Sequence, residues 1–282
     1  MRIGVALGSG AARGLAHIPY IEAMDELGLS PSIIAGSSIG ALIGSGWASG
    51  MAGAEIREHA LSVLGSLQQI AGTYWNRTRM NLTRLFSGGL SIQVDSEGVA
   101  DAFLPDGFPD DFATLKLPFV AIATDYYSWR EVVLDSGSLR QAIAASMAIP
   151  SLFRPVAAQG SYFIDGGVTN PLPLSHVAGK CDITIGIDVQ RTPDPTLAVR
   201  QPNIVDAAIV ATEIMTQRLV DATIATHRPD VYVHAEVGPF GGTEFWRVRE
   251  ILEHASGGKD AFKRAVEGAI AIAELRLRGT TP

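Results

Sequence analysis

The chain has 282 residues, of which 47% are hydrophobic and 18% charged, and its net charge is −7. This composition excludes a disordered chain, which combines low hydrophobicity with high charge, and it argues against nucleic-acid binding, which needs a basic stripe. The single cysteine, Cys181, cannot form an internal disulfide, and the apolar run after Met1 breaks at Gly8, too early for a signal peptide. We therefore expect a cytoplasmic protein.

Short apolar runs predict the strands, which are Ile3–Leu7, Ser32–Ala35, Phe119–Thr124, Glu131–Leu134, Tyr162–Ile164, Ile183–Val189 and Val231–Glu236. Most lack alternation of apolar and polar residues, as expected for strands that are covered on both faces in a parallel sheet. Helical patterns lie between them, at Ile18–Leu27, Ser138–Met147, Ile204–Ala225 and Lys259–Arg278. We predict an α/β fold, a three-layer α/β/α sandwich with a mostly parallel central sheet. It would form one domain, 1–282, with a C-terminal helical region at about 203–282.

The segment 66–112 does not follow this alternation of strands and helices. It holds three arginines within eight residues and several aromatic side chains: Tyr74, Trp75, Arg77, Arg79, Arg84 and Phe86. Two interpretations stay open. The segment is either a solvated insertion packed by its own aromatic residues, or a lid or membrane-docking element, because aromatic and cationic side chains suit a lipid interface.

A glycine-rich turn, Gly8-Ser9-Gly10-Ala11-Ala12-Arg13-Gly14, follows the first strand and opens a helix. Such a turn can bind a dinucleotide, but that function requires an acidic residue at the end of the second strand, and Ala35-Gly36-Ser37-Ser38 has none. The alternative is an oxyanion hole, in which consecutive backbone N–H groups stabilise a tetrahedral intermediate. We favour the oxyanion hole because of the serine motif that follows.

That motif is Gly36-Ser37-Ser38-Ile39-Gly40, a G-x-S-x-G between a predicted strand and a predicted helix. A serine on a sharp strand-to-helix turn projects its hydroxyl outward, and the flanking glycines let neighbouring backbone pass. The N-terminus of the following helix favours developing negative charge. The motif therefore predicts a nucleophile, although a tight turn that merely needs glycine gives the same pattern.

A nucleophilic serine needs a base, and the six histidines are poor candidates. None of His17, His59, His176, His227, His234 and His254 lies in a loop typical of a catalytic histidine, and their spacing does not predict a zinc site. Asp165-Gly166-Gly167 is the better candidate, because an aspartate at the end of a short strand can enter a cleft at the strands' carboxyl ends. The alternative is an Asp-Gly turn in which the aspartate only holds its own backbone.

Taken in this order, the motifs at 8–14, 36–40 and 165–167 resemble the signature blocks of patatin-like phospholipases, and Ala123-Thr124-Asp125 and the segment 145–156 are also similar to that family. The resemblance covers about residues 3–190. It implies helices around a central sheet, hydrolysis of lipid acyl esters, and a Ser38–Asp165 dyad without histidine. It also implies an oxyanion hole within the turn Gly8 to Gly14, formed by the N–H groups of Gly10 and Ala11 with Arg13 nearby, and Ile39 as a further donor. The family often has three successive glycines here, whereas Ser9 and Ala11 flank Gly10.

The expected function is therefore that of a serine hydrolase that cleaves acyl esters of lipids, as a phospholipase A or lysophospholipase does, through an acyl-enzyme. A soluble carboxylesterase or thioesterase for short acyl chains, or a non-catalytic lipid-binding regulator, are the alternatives. No metal or cofactor is implied, and the expected partner is a lipid ester or phospholipid rather than nucleic acid. If residues 66–112 dock on lipid, the protein would be peripheral on the inner face of the membrane. The oligomeric state is open.

Overall fold

A single sheet organises the part of the chain that the computed structural model describes, residues 1–75, 96–150, 152–193 and 203–279. In order of hydrogen-bonded neighbours the strands run β5-β6-β3-β2-β1-β7-β8, and β4 also pairs with β3. Their bounds are β1 Ile3–Leu7, β2 Ile33–Ser37, β3 Phe119–Asp125, β4 Glu131–Leu134, β5 Val156–Ala158, β6 Ser161–Asp165, β7 Ile183–Asp188 and β8 Val231–His234.

The pairing is parallel from β3 through β2, β1 and β7 to β8, and antiparallel where β4, β5 and β6 join. Residues 121–124 of β3 pair with β4 along one edge. Both β2 and β6 pair with the other edge of β3. The pairing with β2 ends at Ile122, and the pairing with β6 begins at Ala123. The carboxyl ends of β2 and β6 therefore meet, because the two strands approach the same point of β3 from opposite directions.

Helices cover both faces of the sheet. Their bounds are α1 His17–Glu26, α2 Ile39–Ala48, α3 Gly53–Trp75, α4 Ser96–Phe103, α5 Leu139–Ser146, α6 Ile204–His227, α7 Val248–Ser256 and α8 Lys259–Leu277. Alternate residues of a strand point to opposite faces, so Val5 and Leu7 of β1 join the larger core while Ala6 joins a second core that includes Val220 of α6. The prediction of a three-layer α/β/α fold is confirmed.

Several sequence-based expectations differ from the structure in detail. The strand β5 was not predicted, because three residues are too few to show a pattern. Pro19 is accommodated because α1 begins at His17, which leaves the proline in the first turn. The region after residue 203 is not purely helical, since β8 pairs with β7. Within the described ranges, no helix is both long and apolar enough to cross a bilayer.

The insertion at 66–112 falls partly outside the described residues. The helix α3 extends to Trp75 and α4 begins at Ser96, whereas Arg77, Arg79, Arg84 and Phe86 lie in the segment 76–95, which is not described. The lid therefore stays a prediction, as does the division of the chain into one domain.

Candidate active site

The turn between β2 and α2 holds Ser38 in a conformation that few residues adopt. Its backbone has φ 57° and ψ −125°, outside the regions that L-residues prefer. A Cβ on Gly40 would lie 2.2 Å from the carbonyl oxygen of Leu7, and a Cβ on Gly36 would lie 2.4 Å from the carbonyl oxygen of Gly40. Only glycine fits at either position, because α2 starts in direct backbone contact with β1 and β2. The two glycines of the motif thus make the sharp turn at Ser38 sterically feasible.

The structure brings Ser38 and Asp165 together, although 127 residues separate them in the chain. The hydroxyl Oγ of Ser38 donates a hydrogen bond of 2.5 Å to Oδ2 of Asp165, and both side chains are buried. The meeting of β2 and β6 on β3 accounts for this contact, since Ser37 pairs with Ile122 and Asp165 pairs with the next residue, Ala123.

The second carboxylate oxygen of Asp165 holds the turn that follows β6. Oδ1 accepts a hydrogen bond of 2.7 Å from the backbone N–H of Gly167. Both interpretations of the Asp-Gly-Gly motif therefore apply, because one oxygen caps the local turn while the other accepts from Ser38. A Cβ on Gly166 would lie 2.1 Å from the carbonyl oxygen of Ile122, so the chain passes β3 closely here. Burial raises the pKa of Asp165 to about 6, and the hydrogen bonds from Ser38 and Gly167 oppose this rise only in part.

Ser146, at the end of α5, also supports the serine turn. Its Oγ accepts a hydrogen bond of 2.9 Å from the backbone N–H of Ser38 and donates one of 2.6 Å to the carbonyl oxygen of Ile122. Ser146 thereby ties the backbone of Ser38 to β3. Although the segment 145–156 is similar to the family, no local pattern in the sequence marks a buried serine as a positioning residue.

In the glycine-rich turn, the first two candidate donors are already engaged. The N–H of Gly8 donates to the carbonyl of Ile187 at 3.0 Å, and the N–H of Ser9 donates to the carbonyl of Pro171 at 2.8 Å. The side-chain amide of Gln190 donates to both the carbonyl and the hydroxyl of Ser9, at 2.7 and 3.0 Å. Gly8 and Ser9 therefore anchor the turn to its neighbours, and their N–H groups are not available to a substrate.

The donors that stay free are the N–H groups of Gly10, Ala11 and Ile39, which have no hydrogen-bond acceptor among the described residues. The N–H of Arg13 donates back to the carbonyl of Gly10 at 3.2 Å. A Cβ on Gly14 would lie 2.0 Å from Cγ2 of Ile39, so Gly14 brings the turn against the start of α2. Of the predicted loop, Gly10 and Ala11 keep the capacity to donate, and Gly14 serves close packing.

The side chain of Arg13 is buried and lies in an ion pair. Its Nη1 donates to Oε1 of Glu213 on α6 at 3.0 Å. Oε2 of Glu213 lies 3.7 Å from Nη1 of Arg191. The sequence predicts Arg13 near the oxyanion, but in the structure its guanidinium is paired with Glu213. This ion pair offsets the charge of Arg13 and links the glycine-rich turn to α6.

All six histidines lie in the described part of the chain, and none of them hydrogen-bonds Ser38. His17 is fully buried, and its Nε2 donates to the carbonyl of Gly8 at 2.8 Å, because a carbonyl can only accept. Burial lowers the pKa of His17 to about 4, so the ring is neutral at pH 7. His17 thus holds the glycine-rich turn in place through its hydrogen bond to Gly8. Three others bond elsewhere, namely His59 to Phe103, His176 to Glu131 and His234 to Asp188.

An apolar cavity lies beside α2. Its lining includes Ile39, the residue after Ser38, and continues along α2 to Gly46, a distance of about 10 Å at 1.5 Å per residue. The opposite wall comes from α3, α4 and the residues after α4, including Ile56, Ala60, Leu64, Leu104 and Phe108. His59 is the one ionisable side chain in the lining, and it is engaged by Phe103. The cavity therefore suits a hydrocarbon chain.

A serine on a sharp strand-to-helix turn of an α/β sheet occurs in the class of serine hydrolases that cleave carboxylic esters. Comparison with known families narrows this class, because a family model described as patatin-like phospholipase matches residues 5–178. The chain belongs to this family, which confirms the resemblance seen in the sequence.

Relatives with curated descriptions are much longer proteins. An uncharacterised NTE family protein of Mycobacterium bovis is 32% identical over 72% of this chain and 53% of its own length. Lysophospholipase nte1 of Aspergillus fumigatus is 30% identical over 69% of this chain and 12% of its own length. The chain thus spans about half of the mycobacterial relative and a small part of the fungal one. Among solved structures, VipD from Legionella pneumophila aligns with 94% of this chain and 66% of its own, at a TM-score of 0.43 and 14% identity.

Proposed function

We propose that the chain hydrolyses acyl esters of lipids through an acyl-enzyme on Ser38, with Asp165 as the general base. The observation that carries this proposal is the hydrogen bond of 2.5 Å from the Ser38 hydroxyl to the Asp165 carboxylate. In the first step, Oγ of Ser38 bonds to the ester carbonyl carbon while its proton passes to Oδ2 of Asp165. The tetrahedral intermediate then expels the alcohol, which takes that proton from Asp165. Water hydrolyses the acyl-serine by the same two proton transfers.

The pKa of Asp165 supports its role as the base. A carboxylate with an ordinary pKa near 4 is a weak proton acceptor. Burial raises the pKa of Asp165 to about 6, so the group accepts a proton more readily and is still ionised at pH 7.

The free N–H groups of Gly10, Ala11 and Ile39 would stabilise the oxyanion. Ile39 is the first residue of α2, where the helix dipole also favours negative charge. Backbone donors that are already held in place need no rearrangement as the charge develops, which is the main source of their effect on rate. The bonds that engage Gly8 and Ser9 keep this turn in position.

The apolar cavity along α2 supports a lipid rather than a short-chain substrate. Its lining includes Ile39, the residue after Ser38, but neither Ser38 nor Asp165, so an acyl chain bound at Ser38 would reach the cavity past Ile39. Lysophospholipids are the first substrates to test, because fungal relatives carry the name lysophospholipase. The cytoplasmic location and the absence of a cofactor stay predictions from the sequence.

The test compares Ser38→Ala and Asp165→Asn with the unmodified protein on nitrophenyl esters of increasing chain length and on a micellar lysophospholipid. Both variants should fold and lose hydrolysis, and Ser38→Ala should also lose labelling by a fluorophosphonate. His227→Gln is the matched control, since this histidine has no hydrogen bond among the described residues and lies at the far end of α6. A preference for four-carbon esters would favour the soluble esterase, and no hydrolysis at all would favour a non-catalytic lipid-binding protein.

A further inference from the structure

We propose that the carboxyl edge of the sheet docks on a lipid bilayer through two exposed apolar elements, one on each side of Ser38. The first element, the aromatic tip, consists of Tyr126, Tyr127 and Trp129 between β3 and β4 together with Tyr162 of β6. The second is the first half of α6. The inference rests on the proposed hydrolysis of lipid esters, because it describes how the active site would reach a substrate held in a membrane.

The aromatic tip exposes large rings that a water-facing turn does not need. Trp129 is 84% exposed, and the three tyrosines are also exposed. Their rings contact one another, with centroids 5.2 Å apart for Tyr126 and Tyr127 and 6.2 Å apart for Tyr127 and Tyr162. Tyrosine and tryptophan combine an apolar ring with a polar group, which suits the boundary between headgroups and acyl chains.

The backbone of the tip is tightly held, so the rings are presented in a fixed arrangement. Oδ1 of Asp125 accepts hydrogen bonds from the N–H groups of Tyr127 and Ser128, at 3.0 and 2.7 Å, and Oδ2 accepts from Ser161 at 2.5 Å. Trp129 has φ 58°, a conformation that turns usually assign to glycine or asparagine. A tryptophan at this position has a conformational cost, and nothing in its own turn compensates for that cost by packing.

Charge at the tip also fits a phospholipid surface. The chain as a whole is acidic, with a net charge of −7. Beside the tip, however, Arg130 is exposed, has no ion pair among the described residues and offsets the negative charge of Asp125, whose carboxylate accepts three hydrogen bonds. Arg130 is therefore available to a lipid phosphate beside the aromatic rings.

The tip projects beyond the active site in the direction of the parallel strands. Asp165 pairs with Ala123, and Tyr126 follows three residues later in the same direction. At about 3.3 Å per residue, the tip begins about 10 Å further out than the hydrogen bond between Ser38 and Asp165.

The helix α6 passes the same edge on the other side of Ser38. Val220 belongs to the second core, which also includes Ala6 of β1 and Ala35 of β2. Glu213, two turns earlier, reaches Arg13 in the turn after β1. Ile204 precedes Glu213 by nine residues, which at 1.5 Å per residue is about 13 Å. The first turns of α6 therefore extend beyond the sheet, since the strands have already ended.

On the side of α6 that faces the sheet, the exposed fraction of the side chains increases towards the N-terminus of the helix. Val220 is fully buried, Glu213 is partly buried, and Ile209, one turn further towards the N-terminus on the same side, is 55% exposed. Between residues 207 and 217 the only charged side chain is Glu213, which is paired with Arg13. The first half of α6 carries Asp206 in its first turn, and its exposed apolar side chains are Ile204, Ile209, Val210, Ile214 and Met215. An exposed apolar patch of this kind is typical of an interaction site.

A bilayer explains both elements better than a second protein chain does. The two elements lie on either side of Ser38 and project in the same direction, so a single flat surface can meet both. A flat lipid surface also delivers the substrate to the edge at which Ser38 lies, whereas a second copy seated on both elements would cover this edge and exclude the substrate.

The experiment measures binding to phosphatidylcholine vesicles by sedimentation, with every protein in the Ser38→Ala background so that no product forms. Tyr127→Ser with Trp129→Ser removes the tip, and Ile204→Ser with Ile209→Ser changes α6. Leu277→Ser is the matched control, because this leucine of α8 is 66% exposed but lies far from the proposed docking surface. Its neighbour Arg276 pairs with Asp230 at the opposite edge of the sheet. Each double variant should bind vesicles about tenfold more weakly or worse, because each removes apolar surface from the interface, and the control should bind normally.

The same substitutions with Ser38 intact should leave turnover of a soluble nitrophenyl butyrate unchanged and lower turnover of vesicle lipid. Vesicle binding that is absent in the unmodified protein, unchanged in the double variants, or equally weak in the control would overturn the inference. So would light scattering that shows a dimer broken by the double variants while vesicle binding persists. Failure of the proposed hydrolysis would appear separately, as no turnover of the soluble ester by the unmodified protein, because the binding assay does not depend on catalysis.

Discussion

The buried carboxylate of Asp165 should destabilise the fold at neutral pH, and Asp165→Asn should remove that cost. Burial raises the pKa of Asp165 from 3.8 to about 6. A group whose pKa is higher in the folded state contributes its full stability below its unfolded pKa, and this contribution is lost as the pH rises through the folded pKa. At about 1.4 kcal/mol per pH unit, a rise from 3.8 to about 6 corresponds to about 3 kcal/mol.

Above pH 7 the free energy of unfolding of Asp165→Asn should therefore be up to about 3 kcal/mol higher than that of the unmodified protein. Below pH 4 the two proteins should not differ in stability. The amide oxygen of the asparagine can still accept from Gly167, and its NH₂ group can donate to Ser38, so the shape of the site is kept. The same variant should lose 10²–10⁴-fold in kcat, because the proton acceptor is gone. In the unmodified protein kcat/KM should rise with pH through an apparent pKa near 6 and then level off, since the base acts when ionised.

Urea unfolding at pH 4, 5, 7 and 8 measures this difference. His17 acts in the opposite sense over the same pH range, because its pKa is lowered to about 4, but it is present in both proteins and cancels in the comparison. Asp135→Asn, at an exposed aspartate after β4, is the matched control and should show no difference at any pH. A stability difference that does not change with pH, or an asparagine variant that is less stable at pH 7, would refute the reasoning.

Three further substitutions test the surroundings of the dyad. Ser146→Ala removes the acceptor for the N–H of Ser38, so kcat on a nitrophenyl ester should fall about tenfold with KM nearly unchanged, as expected for the loss of one positioning hydrogen bond; an unchanged kcat would contradict this role. Gly40→Ala would bring a Cβ within 2.2 Å of the Leu7 carbonyl, so the variant should lose about 3 kcal/mol of stability or fail to fold, as a lowered urea midpoint or low soluble yield would show. Ala60→Phe should fill the apolar cavity and lower turnover of sixteen-carbon esters about tenfold relative to four-carbon esters; equal losses on both would argue against an acyl chain in that cavity.

Much of the fold could be predicted from the sequence because its signals are local. Apolar runs mark every described strand of four residues or more, and the signal is clearest for β1, β3 and β7, which are buried on both faces. The bounds shifted by only a few residues, as at β2, which extends to Ser37 rather than ending at Ala35. The strand β5 was missed because three residues carry no pattern of their own, and it exists only by pairing with β6.

The sequence by itself also determined which chemical groups are available: a serine in a glycine-flanked turn, an aspartate before two glycines, and a glycine-rich loop after β1. Their arrangement was decided by the tertiary structure. The carboxyl ends of β2 and β6 meet only because both strands pair with the same edge of β3. Which N–H groups of the loop stay free depends on carbonyls at Pro171 and Ile187, more than 150 residues away. These contacts join distant parts of the chain, and no local pattern encodes them. The same is true of the raised pKa of Asp165, because burial is a property of the folded packing and not of the residues beside it in the sequence.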